Sequence, residues 1–175
     1  SWAVKIGSLE TNATETITLN CKSSFKKCKS KNYNHLMPSN KPTFKNTFLP
    51  AQPSDLVIKT AQAVIRAQLA LTNKLFIDDN DLNILRSLPQ NAGLILVSNH
   101  ADEMDPRVCL DLARRCGKRF MIMCNREAFN EDFGLAGKAL QSLGYFSVNR
   151  GAHDKSAKDY AVDLVKAGKD VLVMF

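Results

Sequence analysis

The 175 residues suit a single folded domain, because 45% of them are hydrophobic and no internal repeat interrupts the chain. Residues 1–50 hold eight Lys and two Glu, which leaves sixteen basic and fifteen acidic residues in 51–175, so the net charge of +7 belongs mostly to the N-terminal part. That concentration, with no recognition helix or aromatic platform, disfavours a nucleic-acid binder. No uninterrupted apolar run reaches the roughly 18 to 20 residues that a membrane span requires.

Residues 1–53 are predicted to form a basic, polar and poorly ordered tail. The stretch 22–31 is rich in Lys and Ser and lacks helical or strand periodicity. A solvated tail is the default interpretation of such a stretch. The functional alternative is contact with anionic lipid headgroups, worth on the order of 1 kcal/mol for each basic residue near the surface.

From residue 54 onward the predicted helices and strands alternate. Ser54 and Asp55 can cap a first helix that runs to about residue 75. Further helices are predicted at 78–88, 106–116, 133–143 and 155–167, and strands at 94–97, 120–124, 145–149 and 171–175. This alternation predicts an α/β fold with a largely parallel sheet flanked by helices, in one domain over 54–175.

A histidine and an aspartate follow the first predicted strand. Asp105 resembles a helix N-cap, with Pro106 at the first helical position, and His100 lies in the loop before it. Ligand crevices in open α/β sheets form at the carboxyl ends of strands, where this loop lies. A carboxylate on one ring nitrogen would make His100 an oriented general base. The structural alternative is a histidine that satisfies loop backbone beside an aspartate that only caps.

A Ser-His-Asp hydrolase is disfavoured because no Gly-x-Ser-x-Gly elbow occurs in the chain. The hydroxyl that the histidine would deprotonate is therefore expected to belong to the substrate. The neighbouring Asp102 and Glu103 add carboxylates, but hard-cation sites usually gather oxygens from several loops, so we expect no metal. Asn125, Arg126 and Glu127 follow the next strand and are candidates to line the same site.

Two short motifs, His100 with Asp105 and the stretch 144–151, resemble those of the glycerolipid acyltransferases, the group of glycerol-3-phosphate and lysophosphatidate acyltransferases. His100 and Asp105 match the family's His-x4-Asp motif, and the stretch 144–151 reads Gly-Tyr-Phe-Ser-Val-Asn-Arg-Gly, which is similar to its Gly-x-(apolar)-x-(Ile/Val)-x-Arg motif. The resemblance implies a glycerol-3-phosphate acyltransferase-like fold, with His100 as base, Asp105 as its support and Arg150 as the ligand of the acceptor phosphate. It further assigns substrate contacts to Asn99, Gly144, Phe146 and Gly151.

The resemblance implies acyl transfer from acyl-CoA or acyl-carrier protein to a lysophospholipid such as 1-acyl-glycerol-3-phosphate, or to glycerol phosphate, in phospholipid biosynthesis. It implies no cofactor. The chain departs from the family at Asp102, where many members carry Ser, and at Ser147, where an apolar residue or Pro is common. The family's Pro-Glu-Gly motif follows a short apolar strand, and this sequence stops at such a strand, 171–175, so we expect the domain to be incomplete at its C-terminus.

The expected location is the cytoplasm, with peripheral contact at the inner face of an anionic membrane. Five cysteines without a Cys-x-x-Cys pair suit reduced thiols rather than zinc or disulfides. The helix from residue 54 is predicted to be amphipathic and either packs on the domain or lies at the membrane interface. A non-catalytic anionic-lipid-binding module built on this fold is the alternative function.

Overall fold

The computed structural model describes the backbone of two N-terminal strands, and then residues 47–72, 75–100, 104–149 and 153–174. The strands are β1 (Trp2–Leu9), β2 (Thr16–Ser23), β3 (Leu75–Ile77), β4 (Ile95–Ser98), β5 (Phe120–Asn125), β6 (Tyr145–Val148) and β7 (Asp170–Met174). The helices are α1 (Asp55–Thr72), α2 (Asp79–Ser87), α3 (Asp105–Cys116), α4 (Leu135–Ser142) and α5 (Lys155–Lys166), and a 3-10 segment (Arg126–Gly134) precedes α4.

The seven strands form one sheet in the order β3-β1-β2-β4-β7-β5-β6. The four strands β4, β7, β5 and β6 are parallel throughout, β2 is parallel to β4, and β3 is parallel to β1. Among the described strands, only β1 and β2 form an antiparallel pair. The prediction of an α/β fold with a largely parallel sheet is confirmed.

Both faces of the parallel strands are buried, which their continuous apolar sequences require. In β5 and β7 successive residues alternate between two core clusters: Ile122 and Leu172 pack with α3 on one face, and Met121 and Val171 pack with α5 on the other. From β4 to β5 the chain advances along the sheet towards β6, and from β6 to β7 it returns in the opposite direction. Because both crossovers are right-handed, the two directions put α3 and α5 on opposite faces of the sheet.

Because β4, β7, β5 and β6 are parallel, their last residues meet at one edge of the sheet, which we call the carboxyl edge. Their first residues meet at the opposite side, the amino edge. The loops after β4, β5 and β6 leave from the carboxyl edge, and the turns that precede these strands lie at the amino edge.

Two predicted helices differ from those in the structure. The first ends at Thr72 rather than near residue 75, because Leu75–Ile77 pair in parallel with β1, a distant strand that local periodicity cannot reveal. The helix predicted from residue 133 is preceded by the long 3-10 segment. That segment approaches α4 so closely that a Cβ on Gly137 would lie 2.5 Å from the Phe129 carbonyl oxygen, so only glycine fits there.

The predicted N-terminal tail, residues 1–53, contains the strands β1 and β2. The two strands pair with each other, and β2 extends the sheet beyond β4. The lysine-rich stretch 24–31 lies outside the described residues, and the predicted domain boundary at 53 stays a prediction. Among the described helices, none combines the length and the apolar character needed to cross a bilayer.

Candidate active site

A histidine and a buried carboxylate meet at the carboxyl edge of β4. The Nδ1 atom of His100 lies 3.0 Å from Oδ2 of Asp105; the Asp105 side chain is 0% exposed, whereas that of His100 is 35% exposed. A carboxylate only accepts hydrogen bonds, so Nδ1 is the donor in this contact. The arrangement is that of a general base with its orienting group.

The structure corrects the predicted role of Asp105 as helix cap. The N-cap of α3 is Met104, without a side-chain capping bond, and Asp105 is the first residue of the helix. The Asp105 carboxylate instead contacts His100, five residues earlier. Pro106 still falls within the first turn, where its missing N–H costs no helical hydrogen bond. The prediction of a cap was wrong, and the alternative in which Asp105 only caps loses its basis.

Rigid elements hold both members of the pair. Ser98, the last residue of β4, is fully buried, and its hydroxyl donates to the carbonyl of Asn99 at 3.0 Å. On the other side, Val108 and Leu112 of α3 are 1% exposed and anchor the helix in the core. The imidazole therefore projects from the end of a central strand, and the carboxylate from the start of a packed helix. Asn99 itself is exposed at the carboxyl edge, beside His100.

Arg150 and Gly151 lie outside the described residues, so their predicted contacts with the acceptor phosphate stay predictions. The residue before them, Asn149, follows β6 at the same carboxyl edge as His100. The strands β7 and β5 lie between β4 and β6, which separates the two strand ends by about 14 Å at the usual spacing of neighbouring strands.

Two other predicted substrate contacts lie away from the His100 loop. Gly144 precedes β6 at the amino edge, with a φ of +94° that few L residues adopt, and its carbonyl accepts from the Ile122 amide. Phe146 is 0% exposed and meets the ring of Tyr160 edge-on, with 5.3 Å between ring centroids. In the structure one residue makes the turn into β6 and the other packs the core. Neither placement supports the predicted substrate contact, which stays a prediction.

Ser147, a departure from the family motif, has a structural role. Its hydroxyl accepts from the amide of Leu49 at 2.8 Å, and its own amide donates to the carbonyl of Leu49 at 2.9 Å. A serine at this buried position therefore secures the segment before α1 against β6.

Sequence reasoning missed Asp154, which ends the loop after β6. Its Oδ2 accepts from the amide of Asn149 at 3.0 Å, and its Oδ1 accepts from the amide of Ala157 at 3.1 Å. The hydrogen bond from Asn149 holds the pKa of the Asp154 carboxyl below its usual value. Partial burial opposes this shift, while the amides of Ala157 and Ser156 and the charge of Arg126 favour it. An aspartate directly before the predicted helix was the available signal.

The second group of candidates lies where it was predicted. Asn125 ends β5 at the carboxyl edge, and its side-chain amide donates to the Glu127 carboxylate at 3.0 Å. Arg126 lies close enough to Asp154 to influence its pKa. Asp102 and Glu103 lie outside the described residues. Among those that are described, no three His, Cys, Asp or Glu side chains cluster in a way that could hold a metal ion.

Comparison with protein families identifies the domain. The family model described as Acyltransferase matches residues 81–175, more than half of the chain, and this range contains both motifs and the His100–Asp105 pair. Comparisons with curated proteins and with solved structures give no significant match. The match agrees with the resemblance that the two motifs carry and with the observed α/β architecture. The chain belongs to the acyltransferase family.

Proposed function

We propose that this acyltransferase transfers an acyl group from acyl-CoA or acyl-carrier protein to the hydroxyl of a lysophospholipid such as 1-acyl-glycerol-3-phosphate, in phospholipid biosynthesis. The observation that carries the proposal is the 3.0 Å contact between His100 Nδ1 and the buried Asp105 carboxylate at the carboxyl edge. It supplies a base for a substrate hydroxyl, and acyl transfer to a hydroxyl needs such a base.

The proposed reaction needs only these two side chains for its proton transfers. Nε2 of His100 removes the acceptor's hydroxyl proton as the oxygen forms a bond to the thioester carbonyl carbon. The carbon–sulfur bond then breaks, and the imidazolium returns the proton to the leaving thiolate. Asp105 stays ionised, keeps the ring in one tautomer and stabilises its charged form. Base catalysis of this kind contributes roughly 10² to 10⁴ in rate.

We assign recognition of the acceptor phosphate to Arg150. A guanidinium binds phosphate with two parallel hydrogen bonds, which orients a ligand as well as holding it. The described end of β6 supports this role because it opens onto the same edge as His100, about 14 Å along the sheet. In this arrangement the acceptor lies between the two side chains, with its hydroxyl towards the histidine and its phosphate towards the arginine.

A thiol-release assay with the full-length gene product tests the proposal. Acyl-CoA and acyl-carrier protein serve as donors, and lysophosphatidate and glycerol 3-phosphate as acceptors. We expect His100→Ala to lower kcat by about 10² to 10⁴. His35→Ala, the same change in the predicted tail, should leave kcat unchanged. Full turnover by His100→Ala would refute the base assignment. Absence of turnover in the wild type with every pair, together with binding to anionic vesicles, would favour the non-catalytic module.

We also propose peripheral contact with an anionic membrane, through an apolar stripe on α1. Val57, Val64 and Leu71 recur every seven residues and so share one face of the helix; Val64 is 62% exposed and Leu71 87% exposed. Ile58 and Leu69 are buried on the side of α1 that packs on the domain. An exposed apolar stripe on a helix otherwise seated on the domain suits insertion at a bilayer surface, where a lipid acceptor resides.

Vesicle co-sedimentation tests the membrane proposal. Replacing Val64 and Leu71 together by Glu should abolish sedimentation with vesicles of phosphatidylglycerol and phosphatidylcholine. The matched control is Ile84→Glu on α2, an apolar side chain that is also exposed but lies off the stripe. Equal sedimentation of the double variant and the wild type would exclude α1 as the contact. The same assay on a chain without residues 1–46 measures the contribution of the basic tail.

A further inference from the structure

A cleft opens at the amino edge of the sheet, the edge opposite to His100. This amino-edge cleft lies between the start of α1, the end of α3 and the turn from α5 into β7. Its volume is about 430 Å³, within the roughly 300 to 1,000 Å³ that small-molecule sites occupy. The turn into β7 is itself fixed, because the amide of Lys169 donates to the carbonyl of Leu164 at 2.9 Å. The cleft therefore has the size and the firm walls of a ligand site.

The lining of the amino-edge cleft carries a surplus of positive charge, because five basic side chains face two carboxylates. The basic side chains are Lys59, Arg114, Lys118, Arg119 and Lys169. The two carboxylates are already paired, Asp170 with Lys118 and Asp55 with Arg119. The surplus thus belongs to Lys59, Arg114 and Lys169. A recess lined mostly by one sign of charge concentrates the electric field, so this lining attracts anions.

A buried carboxylate holds Arg114 in place. Asp111 is 1% exposed, and its Oδ1 accepts from Nε and Nη2 of Arg114 at 3.0 and 2.8 Å, while its Oδ2 accepts from Nε of Arg115 at 2.7 Å. One carboxylate thus serves two guanidinium groups, so the three side chains together keep a positive charge. These contacts use two of the five N–H groups of Arg114, and a third of its side chain is exposed. An arginine held in this way loses little side-chain freedom when it binds an anion.

Two exposed lysines line the cleft from different walls, Lys59 from α1 and Lys169 from the turn into β7. Neither forms an ion pair with another of the described residues. Attraction to the carbonyls at a helix C-terminus explains the arginines in the last turn of α3. That explanation does not extend to Lys59, which lies near the N-terminal end of α1, where the helix dipole does not favour a cation. An anion in the cleft gives both lysines a common role.

We propose that the amino-edge cleft binds a small phosphorylated organic molecule, up to the size of a nucleotide, with its phosphate groups on Lys59, Arg114 and Lys169. Ammonium and guanidinium groups bind phosphate oxygens through charge-assisted hydrogen bonds. The site lies at the opposite edge from His100, so the inference does not depend on the proposed acyl transfer.

The rest of the lining suits the organic part of such a molecule. Leu110 and Phe120 contribute apolar surface, and the side-chain amides of Gln90 and Asn91 offer hydrogen bonds. A mixture of apolar surface and a few polar groups is typical of sites for organic ligands, whereas a bare inorganic ion would need only the charges. A recess between two helices and a turn also suits one soluble molecule better than the flat surface of a bilayer.

Isothermal titration calorimetry on the full-length gene product tests the proposal, with ADP, coenzyme A and adenosine as probes. We expect ADP to bind more weakly as the salt concentration rises, because salt screens exposed charges, and adenosine, which lacks phosphate, not to bind. Replacing Lys59 and Lys169 together by Gln should raise the Kd for ADP by at least about tenfold, the usual effect of one lost charge-assisted hydrogen bond. The matched control replaces Lys138 and Lys158, exposed lysines outside the cleft, by Gln and should leave the Kd unchanged.

The two phosphorylated probes distinguish two sources of the same chemistry. Tighter binding of coenzyme A than of ADP, with the same dependence on the two lysines, would identify the ligand as the nucleotide end of a thioester donor. Binding of ADP at least as tight as that of coenzyme A would identify a free nucleotide. Two results would overturn the inference: no binding of either probe to the wild type at millimolar concentration, or an equal Kd in the cleft variant and the control variant.

Discussion

The two edges of the sheet each carry a buried aspartate paired with a basic side chain, and the pairs differ in exposure. At the amino edge Lys118 and Asp170 are both buried, with 3.5 Å between Nζ and Oδ2. At the carboxyl edge the Asp105 carboxylate is buried, but a third of the His100 side chain is open to solvent. A pair closed on both sides can only hold the structure together. A pair with one exposed member leaves part of its basic side chain accessible to a ligand.

The closed pair ties together the starts of three strands. Lys118 precedes β5, and its Nζ also donates to the carbonyl of Pro89 at 3.3 Å. Asp170 opens β7, and its Oδ1 accepts from the amide of Leu94, just before β4, at 3.1 Å. The amino-edge cleft of about 430 Å³ adjoins this pair. Two of its basic side chains are paired with carboxylates, Lys118 with Asp170 and Arg119 with Asp55, so these carboxylates are not available to accept a proton from a ligand. The His100–Asp105 pair therefore lies at the other edge of the sheet, away from this cleft.

The largest effect is expected from Asp105→Asn at the open pair. The amide nitrogen of Asn can donate to Nδ1, which would favour the tautomer with the proton on Nε2, the wrong nitrogen for a base. We expect kcat to fall by about 10² to 10⁴, with a much smaller change in thermal stability. Steady-state kinetics and thermal unfolding, measured on the same preparation, check both parts. A wild-type kcat in this variant would contradict the expected functional difference between the pairs at the two edges.

The next effect is expected from Asp170→Ala at the closed pair. It leaves the Lys118 ammonium buried without its carboxylate, and the free energy of unfolding should fall by about 3–5 kcal/mol. Denaturant titration measures the loss, and activity per folded molecule should not change. The control is the double variant Lys118→Met with Asp170→Asn, which removes both charges and keeps an acceptor for Leu94. If the double variant is as unstable as the single one, the buried charge is not the cause.

A smaller effect is expected from Gly144→Ala. The substitution forces a Cβ into a backbone with a φ of +94° and within 3.3 Å of the Phe120 carbonyl oxygen. Strain of this kind costs about 1–3 kcal/mol of stability. Because the turn lies at the amino edge, KM for the acceptor should not change once the folded fraction is taken into account. A higher KM for the acceptor at unchanged stability would instead indicate that Gly144 contributes to the substrate site.

The smallest effect concerns two thiols near opposite edges of the sheet. Burial raises the pKa of Cys116, at the amino edge, to about 11, although the charges of Arg86, Lys118 and Arg115 oppose the shift. Only a thiolate is alkylated, so at pH 8 Cys116 should react far more slowly than the half-buried Cys124, towards the end of β5. Mass spectrometry of iodoacetamide-treated protein measures both rates. Equal rates would mean that the amino edge opens as readily as the carboxyl edge.

Most helices and strands after residue 54 could be predicted, because each carries a local signal. Strand β5 begins at Phe120 as predicted, and α5 begins at Lys155, directly after the capping Asp154. The end of α1 could not be predicted, since Leu75–Ile77 are strand only through pairing with a segment some seventy residues earlier. The prediction of the acyltransferase family succeeded for the same reason as the helices: both motifs lie in short contiguous stretches.

The candidate site could be predicted in part. The contact between His100 and Asp105 follows from their spacing across one strand-to-helix loop, and the structure confirms it at 3.0 Å. The motif alone did not show that Gly144 makes the turn into β6 or that Phe146 packs in the core. Proximity in a motif does not say which residues share an edge, because alternate strand residues point to opposite faces and the two ends of a strand lie far apart.

The sequence by itself determined the alternation of strands and helices, the family, and the pairing of His100 with Asp105, because each depends on residues within about one strand-loop-helix unit. The tertiary structure alone decided the strand order, with β7 between β4 and β5, and the addition of β1 and β2. It also placed the Asp105 carboxylate in contact with His100 rather than at the cap of its helix. These outcomes depend on which parts of the chain, distant in sequence, pack against each other, and such packing leaves no local pattern in the sequence.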